Sequence, residues 1–348
     1  MTEQAITLFS GMGVADYGIR AAGYHIVGAV EYTPAIADIY RRNHGDHVRV
    51  GDVRQMDWTM FPACDYLHAS PPCPSFSSVN ANRGETPDDI AVADAVCSAI
   101  ATLQPRLFTL ENVQGYHGSS SLRRIISTLE RLDYAVEWRI VNAADYGVPQ
   151  TRIRLVLVAR SGGWMQPALD WGVPARWNGW YDAIADYIPD LPDTTLPPWQ
   201  IQRMPTALRE SMLISATNVN GLTMRAAHTP APTVLAAHNP FRAVLLSTHA
   251  RGTPEHNQYT VAYRTAHEPA WTCTAEPRQH IRALLLDSCE TTHQPTVRIV
   301  QLTPPCLARF QSIPDTAWLP LAPALAVKAI GNGYPSLLAQ RIVEMARS

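Results

Sequence analysis

The sequence lacks the features that mark disulfide-rich, metal-binding and membrane proteins. Its 348 residues include six cysteines, none in a C-x-x-C pair, and twelve histidines, none in an H-x-x-x-H pair. These absences argue against a disulfide framework and a zinc cluster, and we expect no metal. No apolar run reaches the roughly 20 residues of a membrane span, and no basic segment precedes the short apolar stretch near the start. We therefore expect a cytoplasmic protein with no membrane contact.

Lysine is almost absent as well. Lys328 is the one lysine among 28 basic residues, and the others are arginines. Arginine suits bidentate recognition of phosphates and base edges better than lysine does, and genomic base composition is an alternative explanation of the same bias. The net charge of -2 argues against a uniformly basic nucleic-acid binder without describing any local surface. The length allows one large domain and a smaller one.

The first 160 residues alternate strand-like and helix-like segments. The predicted strands are 5–9, 25–31, 47–53, 65–70 and 106–112, and the predicted helices are 14–23, 33–43, 88–104 and 122–132. Such alternation predicts an α/β fold with a mainly parallel sheet covered by helices on both faces. Strands 135–143 and 152–160 are joined by a connection too short for a parallel crossover, so this last pair is predicted to be antiparallel.

The composition of the sequence changes at about residue 161, where proline and tryptophan become frequent and the helical periodicity weakens. This change predicts a smaller, irregular domain. Inside it, 224–246 and 263–286 form a weak repeat, and each copy ends in a hydrophobic, strand-like run. Helical periodicity returns near the end. We expect a catalytic domain over 1–160, a small domain over 161–318, and a C-terminal segment, 319–348, that returns to the catalytic domain.

Several residues are expected at the carboxyl ends of the strands, where open α/β sheets bind their ligands. Gly11 and Gly13 follow the first strand, but the G-x-G-x-x-G spacing is absent, which favours a nucleoside site over a pyrophosphate site. Glu31 ends the second strand, where an acidic residue commonly holds ribose hydroxyls. Asp52 ends the third strand and is placed to accept from an adenine amino group. Each signal is weak alone, but together they predict an adenosine-containing ligand.

The tripeptide Pro-Pro-Cys occurs twice, at Cys73 and at Cys306. Cys73 follows the fourth predicted strand and therefore faces the same cleft as the expected nucleoside. Glu111 and Asn112 end the fifth predicted strand at that edge. A lone buried cysteine is usually inert filler. A thiol and a carboxylate that share one cleft favour catalysis instead.

Taken in order along the chain, these pieces resemble the cytosine-C5 DNA methyltransferases that depend on S-adenosylmethionine (SAM). The matching segments are FSGMG, Glu31, GDV, PPC, ENV and QTRIR, followed by RIVQLTPPCLARFQSIPD and GNGYP. The resemblance covers both ends of the chain and skips the middle. It implies a Rossmann-like methyltransferase fold and a small target-recognition domain. It also implies SAM as the cofactor, S-adenosylhomocysteine as the product, and methylation of C5 of a cytosine flipped out of double-stranded DNA.

The resemblance also implies roles for individual residues. Cys73 would add as a thiolate to cytosine C6, which makes C5 nucleophilic. Glu111 would contact the N3 and N4 edge of the base, Arg152 would contact O2, and Arg154 would brace the catalytic loop. The residues implied to bind the cofactor are Phe9, Gly11, Gly13, Glu31, Tyr32, Asp52, Val53, Pro72 and Asn332. Those implied to bind DNA are Ser75, Asn112, Gln150, Arg225 and Arg264.

The sequence departs from the family pattern at a few positions. Thr303 is predicted to cap a helix that has Cys306 at its third position, where the family usually has Glu, so we interpret Cys306 as structural. Ser312 stands where the family has Gly, and Pro74 replaces a common Gln. Tyr334 replaces a usual Val. None of these changes removes a catalytic group.

Three alternative functions compete with this interpretation. A related branch methylates a tRNA cytosine, but its Cys-Phe-Thr signature is missing here. A silent DNA-binding homologue would typically lose the cysteine, ENV or the cofactor loop, and all three are present. A nicotinamide-dependent oxidoreductase is disfavoured by the glycine spacing. We expect a monomer, and a cognate restriction endonuclease that acts separately is a candidate partner.

Overall fold

The structure is a computed structural model that describes residues 2–72, 74–76, 84–172, 176–196, 243–251, 258–270, 282–288 and 295–347. Within these ranges the chain forms a seven-stranded sheet and a four-stranded sheet. The seven-stranded sheet belongs to the first half of the chain and the four-stranded sheet to the second half.

The large sheet has the strand order β3-β2-β1-β4-β5-β7-β6. Its strands are β1 (Gln4–Leu8), β2 (His25–Glu31), β3 (Val48–Val50), β4 (Tyr66–Ala69), β5 (Leu107–Val113), β6 (Tyr134–Asn142) and β7 (Ile153–Ser161). Strands β1 to β5 pair in parallel, whereas β7 is antiparallel to both of its neighbours. The predicted α/β fold with an antiparallel last pair is confirmed.

The third strand is shorter than predicted. The sequence predicted a strand over 47–53, but β3 ends at Val50. Asp52 begins a short 3-10 turn instead, and its side chain accepts a hydrogen bond from the backbone N–H of Arg54. This capping bond favours the turn over a continued strand. Asp52 therefore lies two residues beyond the strand and still at its carboxyl end.

The helices in the described ranges are α1 (Val14–Ala21), α2 (Pro34–His44), α3 (Pro87–Leu103), α4 (Ser120–Arg131), α5 (Trp180–Ile184), α6 (Pro304–Phe310), α7 (Pro323–Gly331) and α8 (Ser336–Arg347). The four helices predicted in the first domain are confirmed, with ends shifted by one or two residues. Helix α3 begins with a capping box between Thr86 and Asp89. Helix α8 packs so closely on α1 that a Cβ at Gly18 would lie 1.9 Å from the carbonyl oxygen of Ser336.

The two faces of the large sheet differ in polarity. On one face, Leu67, Ala69 and Leu110 belong to a hydrophobic cluster that also includes residues of α3 and α4. The opposite face lies against α1 and α8, and its core cluster includes Ala5, Tyr66 and Leu107. Because side chains alternate along a strand, this second face also carries His68 and Thr109, which are each 2% exposed. A row of buried polar side chains therefore runs along this face of the sheet.

The four-stranded sheet is more regular than the sequence suggested for this part of the chain. Its strands, in the order β11-β10-β8-β9, are β8 (Ala243–Arg251), β9 (Gln258–Thr265), β10 (Arg282–Ser288) and β11 (Pro295–Gln301), and all pair antiparallel. The strand-like ends of the two repeats pair with each other, from Ala243 opposite Leu285 to Leu246 opposite Arg282. The rest of the first repeat lies outside the described residues.

Candidate active site

A cavity of about 730 Å³ lies at the carboxyl ends of β1, β2, β4 and β5. It brings together most of the residues that the sequence predicted for the site. These are Phe9, Gly11, Glu31, Tyr32, Asp52, Val53, Pro72, Glu111, Asn112, Arg152, Arg154 and Asn332. The parallel arrangement of the strands explains why these residues lie together, because the carboxyl ends of parallel strands meet at one edge of the sheet.

The two glycines after β1 have different surroundings. Both have positive φ angles, +57° at Gly11 and +84° at Gly13, which L side chains rarely adopt. A Cβ at Gly11 would meet nothing within 4 Å, so this side of the turn is open toward the cavity. A Cβ at Gly13 would lie 2.2 Å from Nε2 of His44. Gly13 does not line the cavity, so it serves the turn and the packing of His44 beneath it.

The expected acceptors for a nucleoside already make hydrogen bonds that fix their positions. The Glu31 carboxylate accepts from the backbone N–H of Gly11 at 3.0 Å and of Thr33 at 2.7 Å. Asp52 accepts from the Arg54 guanidinium, and this bond lowers the pKa of the Asp52 carboxyl below its usual range. A carboxylate offers about four acceptor positions, so Glu31, which uses two, retains capacity for a ligand, whereas a ligand at Asp52 would share or displace the Arg54 guanidinium. Acceptors of this kind suit ribose hydroxyls and an exocyclic amine.

A buried ion pair joins the two strands on the far side of the cavity. Nε of Arg154 lies 2.8 Å from Oε1 of Glu111, and the two side chains are 12% and 8% exposed. The pairing of β5 with β7, with Val113 opposite Arg154, brings the guanidinium to the carboxylate. Charge-assisted hydrogen bonds of this kind are stronger than neutral ones and fix the orientation of both groups.

Arg152 is oriented differently. Its Nη1 and Nη2 atoms both donate to the carbonyl oxygen of Gly331 at 3.3 Å, and the residue is 3% exposed. Gly331 ends α7, immediately before Asn332. Arg152 therefore holds the α7 end against the wall of the cavity.

Asn112 fixes the segment that leads to the first Pro-Pro-Cys cysteine. Its side-chain Nδ2 donates to the carbonyl oxygen of Pro71 at 3.1 Å. Pro71 and Pro72 both line the cavity. Cys73 itself lies outside the described residues.

The residues expected to bind DNA are mostly placed away from the cavity. Ser75 lies in a short 3-10 turn, and Gln150 is fully buried in a bridge to Ala270. Arg264 donates to Thr151 Oγ1 at 3.3 Å and forms an ion pair with Glu268. Gln150 and Arg264 thus meet where the large sheet adjoins the second part of the chain, without lining the cavity. Arg225 lies outside the described residues.

The cavity lining also includes residues that the sequence analysis did not mark as site residues, among them Asp16, His68, Ser70 and Tyr334. Burial raises the pKa of the Asp16 carboxyl to about 6, against hydrogen bonds from Tyr40 and Thr7 that lower it. Burial also lowers the pKa of His68 to about 3. Polar residues at alternate positions of a strand that is otherwise hydrophobic, such as His68 and Ser70, are the signal that could have revealed this set.

Cys306 has the surroundings of a structural residue. It is fully buried at the third position of α6, and burial raises the pKa of its thiol. Thr303 is the N-cap residue as predicted, but its hydroxyl contacts the Cys306 sulfur at 3.6 Å instead of a backbone N–H. Ser312, just beyond this helix, has a φ of +57°, the conformation for which the family's Gly is suited.

The described ranges hold neither a cluster of metal ligands nor a membrane-spanning helix. Within those ranges, no three His, Cys, Asp or Glu side chains come together as a metal site would require. The helices in the same part of the chain are also too short or too polar to span a bilayer.

Comparisons with known proteins identify the family of the chain. The family model of the C-5 cytosine-specific DNA methylases matches residues 4–347. The type II methyltransferase M.NlaX of Neisseria lactamica is 25% identical over 99% of the chain and 96% of its own length. M1.HphI of Haemophilus parahaemolyticus is 34% identical, over 47% of each protein. The chain thus spans less than half the length of this relative. It also spans 45% of the length of the type II methyltransferase M.FnuDI of Fusobacterium nucleatum.

Solved structures share the fold over the whole chain. Dnmt2 methyltransferase of S. pombe has a TM-score of 0.61 at 15% identity, over 99% of this chain and 98% of that one. A putative DNA modification methyltransferase encoded within an E. coli prophage has a TM-score of 0.58 at 17% identity, with the same coverage. Because the family model spans nearly all of the sequence, the chain belongs to the C-5 cytosine-specific DNA methylase family.

Proposed function

We propose that the chain is a DNA (cytosine-5-)-methyltransferase that acts on a cytosine flipped out of a specific short sequence of duplex DNA. The observation that carries the proposal is one cavity with two halves. Glu31 and Asp52 offer acceptors to a nucleoside on one side, and the Glu111–Arg154 pair faces the reacting base on the other. Cys73 directly follows Pro72, which lines the same cavity.

The residues present fit SAM, which supplies the methyl group when bound. Glu31 would bind the ribose hydroxyls, Asp52 would accept from the adenine amino group, and the open side of Gly11 leaves room for the ligand against the backbone. The remaining residues proposed to contact the cofactor are Phe9, Tyr32, Val53, Pro72 and Asn332, all of which line the cavity. Phe9 has a φ of +59°, a strained conformation for a bulky residue and one that is found at functional sites.

Cys73 acts as the nucleophile in this proposal. Its thiolate adds to cytosine C6, and the electron pair of the C5–C6 bond moves so that C5 becomes nucleophilic. After methylation the C5 proton leaves to a base, and its bonding electrons re-form the C5–C6 double bond and expel the thiolate. The adduct therefore exists only between these two steps.

The geometry favours an exchange of the two arginine roles that the resemblance implied. Glu111 faces the N3 and N4 edge of the base, and a proton that it shares with N3 neutralises the negative charge that develops on the ring. Arg154 touches the same carboxylate, so we assign the contact to cytosine O2 to its guanidinium. Arg152 instead braces the end of α7 before Asn332.

The second part of the chain would read the DNA sequence. We propose that 1–160 and 319–348 form the catalytic domain and that 161–318 form the target-recognition domain. Gln150 and Arg264, which meet at the junction of the two sheets, are placed to couple them. Arginine side chains of the second domain, Arg225 among them, supply contacts to phosphates and bases. A monomer suffices, because one chain carries both catalysis and recognition, and any cognate endonuclease would act separately.

Covalent trapping tests the proposed function. Genomic DNA amplified with 5-fluorodeoxycytidine is incubated with SAM and the protein; the fluorine cannot leave as a proton does, so the adduct persists through denaturing electrophoresis. We expect a DNA-linked band with the wild type and with Cys306→Ala, and none with Cys73→Ala. A band that survives Cys73→Ala contradicts the assigned nucleophile. Trapping of 5-fluorocytosine tRNA in preference to DNA contradicts the assigned substrate.

A further inference from the structure

A chain of hydrogen bonds leads from the interior of the large sheet to the cavity. The Tyr66 hydroxyl lies 2.6 Å from Thr109 Oγ1, and that oxygen lies 2.8 Å from Nδ1 of His68. The other ring nitrogen, Nε2, lies 2.9 Å from the hydroxyl of Ser70. Tyr66, His68 and Thr109 are buried, whereas Ser70 is partly exposed and lines the cavity.

The direction of these hydrogen bonds follows from a count of hydrogens. Three hydroxyls and one neutral imidazole carry four polar hydrogens, but only three contacts join these groups. One of the four hydrogens therefore has no acceptor among the four side chains. Leaving it on Tyr66 or Thr109 would orphan a buried donor, which is costly. Leaving it on Ser70 costs nothing, because that group borders the cavity.

The favoured arrangement is therefore specific. Tyr66 donates to Thr109, Thr109 donates to His68 Nδ1, and His68 Nε2–H donates to Ser70. The imidazole is neutral at physiological pH because burial lowers the pKa of His68 to about 3. Ser70 is left with an oxygen that is already an acceptor and a free hydroxyl hydrogen that it can donate only into the cavity.

We propose that Ser70 is a cofactor-binding residue whose hydroxyl, oriented by Tyr66, Thr109 and His68, donates a hydrogen bond to the carboxylate at the amino-acid end of SAM. This inference rests on the proposed function. It assigns a role to a side chain that the sequence motifs do not mark.

The position of Ser70 supports this acceptor. The backbone N–H of Ser70 donates to the carbonyl oxygen of Leu8 at 3.3 Å, and this bond places Ser70 beside Phe9 and the glycine turn. Tyr334 stacks on His68 with the ring centres 5.5 Å apart, so the Asn332–Gly333 turn lies close to the same part of β4. The adenosine acceptors lie on the β2 and β3 side, and the methyl donor must point toward Glu111. The amino-acid end of the cofactor then falls near β4, and its carboxylate is the group that requires donors.

Two ligands that differ only in that end test the proposal. S-adenosylhomocysteine carries the amino-acid end, and 5′-methylthioadenosine lacks it. In calorimetric titrations of the full chain, Ser70→Ala should bind S-adenosylhomocysteine about tenfold or more weakly, the usual effect of losing a hydrogen bond to a charged group. Its affinity for methylthioadenosine should stay within about twofold of the wild-type value, since that ligand makes no contact with Ser70. Ser70→Thr keeps a hydroxyl and should restore binding.

Ser10 provides a matched control. It lines the same cavity, but its hydroxyl already donates to the carbonyl oxygen of Thr7 at 2.9 Å. Ser10→Ala should therefore change the affinities for both ligands by the same factor. Thr109→Val tests the orienting chain. It removes the donor to His68 Nδ1 and should weaken S-adenosylhomocysteine alone, with methylthioadenosine binding as proof of a folded cavity.

The outcomes separate this inference from the proposed function. Equal weakening of both ligands by Ser70→Ala, or no change in either, overturns the inference while the cofactor assignment stands. A wild-type protein that binds neither ligand contradicts the proposed function itself.

Discussion

Nε of Arg154 lies 2.8 Å from Oε1 of Glu111 across the pairing of β5 and β7, and both side chains are mostly buried. Under the proposed function, this pair links stability to catalysis. Arg154→Ala leaves a buried carboxylate without its partner, which typically costs about 3 kcal/mol of unfolding free energy. We expect that loss in urea denaturation, together with a loss of methyl transfer in the protein that remains folded.

A second ion pair on the same strand, with a buried arginine and a partly exposed glutamate, supplies the control. Arg160 lies at the other end of β7 and forms an ion pair with Glu137 at 3.2 Å, away from the cavity. Arg160→Ala should also lower the unfolding free energy but leave kcat unchanged below the unfolding transition. Equal kcat in the two variants would show that Arg154 has no role beyond stability.

The two glycines of the turn should respond differently to the same substitution. Gly11→Ala costs about 1 kcal/mol for its positive φ, and its methyl group projects into open space. It should fold and bind S-adenosylhomocysteine more weakly. Gly13→Ala meets the buried His44 ring, and overpacking adds about 1–3 kcal/mol to the backbone cost. Denaturation measures the stability of the two variants, and calorimetry measures their affinity for S-adenosylhomocysteine. A Gly11→Ala protein that is less stable than Gly13→Ala would contradict this account.

Asp16 should make stability depend on pH. Burial raises its pKa from the ordinary 3.8 to about 6, so its protonated form favours the folded state. The stabilising contribution is fully present below pH 3.8 and is lost as the pH rises through about 6. The wild type should therefore lose about 2 kcal/mol more than Asp16→Asn between pH 4 and pH 8.

Comparison with Asp16→Asn separates this effect from the other groups around Asp16. Tyr40 donates to Asp16 and also contacts His47, whose pKa is lowered by burial; Arg20 lies nearby. These groups are present in both proteins, so their titration cancels in the difference. Parallel pH profiles of unfolding free energy for the two proteins would contradict the assignment.

Ser312 offers a site for stabilisation. Its φ of +57° is unfavourable for a residue with a side chain and ordinary for glycine. Ser312→Gly should raise the unfolding free energy by up to about 1 kcal/mol, whereas Ser312→Ala keeps the strain and should change little. Urea denaturation of both variants measures this difference, and a more stable alanine variant would exclude backbone strain as its cause.

Local patterns were sufficient to predict much of the fold. Alternating segments indicated the strands and helices of the first domain, and the short link between the last two strands indicated that they are antiparallel. Thr303 and Cys306 stand at the predicted positions of their helix. All of these features depend on neighbours in the sequence.

Features that depend on distant contacts were not predictable. Which arginine meets Glu111 is decided by the register of β7 against β5, and Arg152 instead bonds Gly331, 179 residues away. The chain of hydrogen bonds from Tyr66 to Ser70 likewise requires that β4 and β5 pair in the register that puts Thr109 beside His68. Sequence spacing alone contains no information on such pairings.

Base-resolution cytosine methylation sequencing tests the central claim most directly. DNA is taken from a methylation-free bacterial host that expresses the wild-type chain or Cys73→Ala. We predict that one short sequence is modified at nearly every copy with the wild type and at none with Cys73→Ala. Unmodified DNA from cells that contain folded, S-adenosylhomocysteine-binding protein would contradict the claim, as would methylation that persists without Cys73.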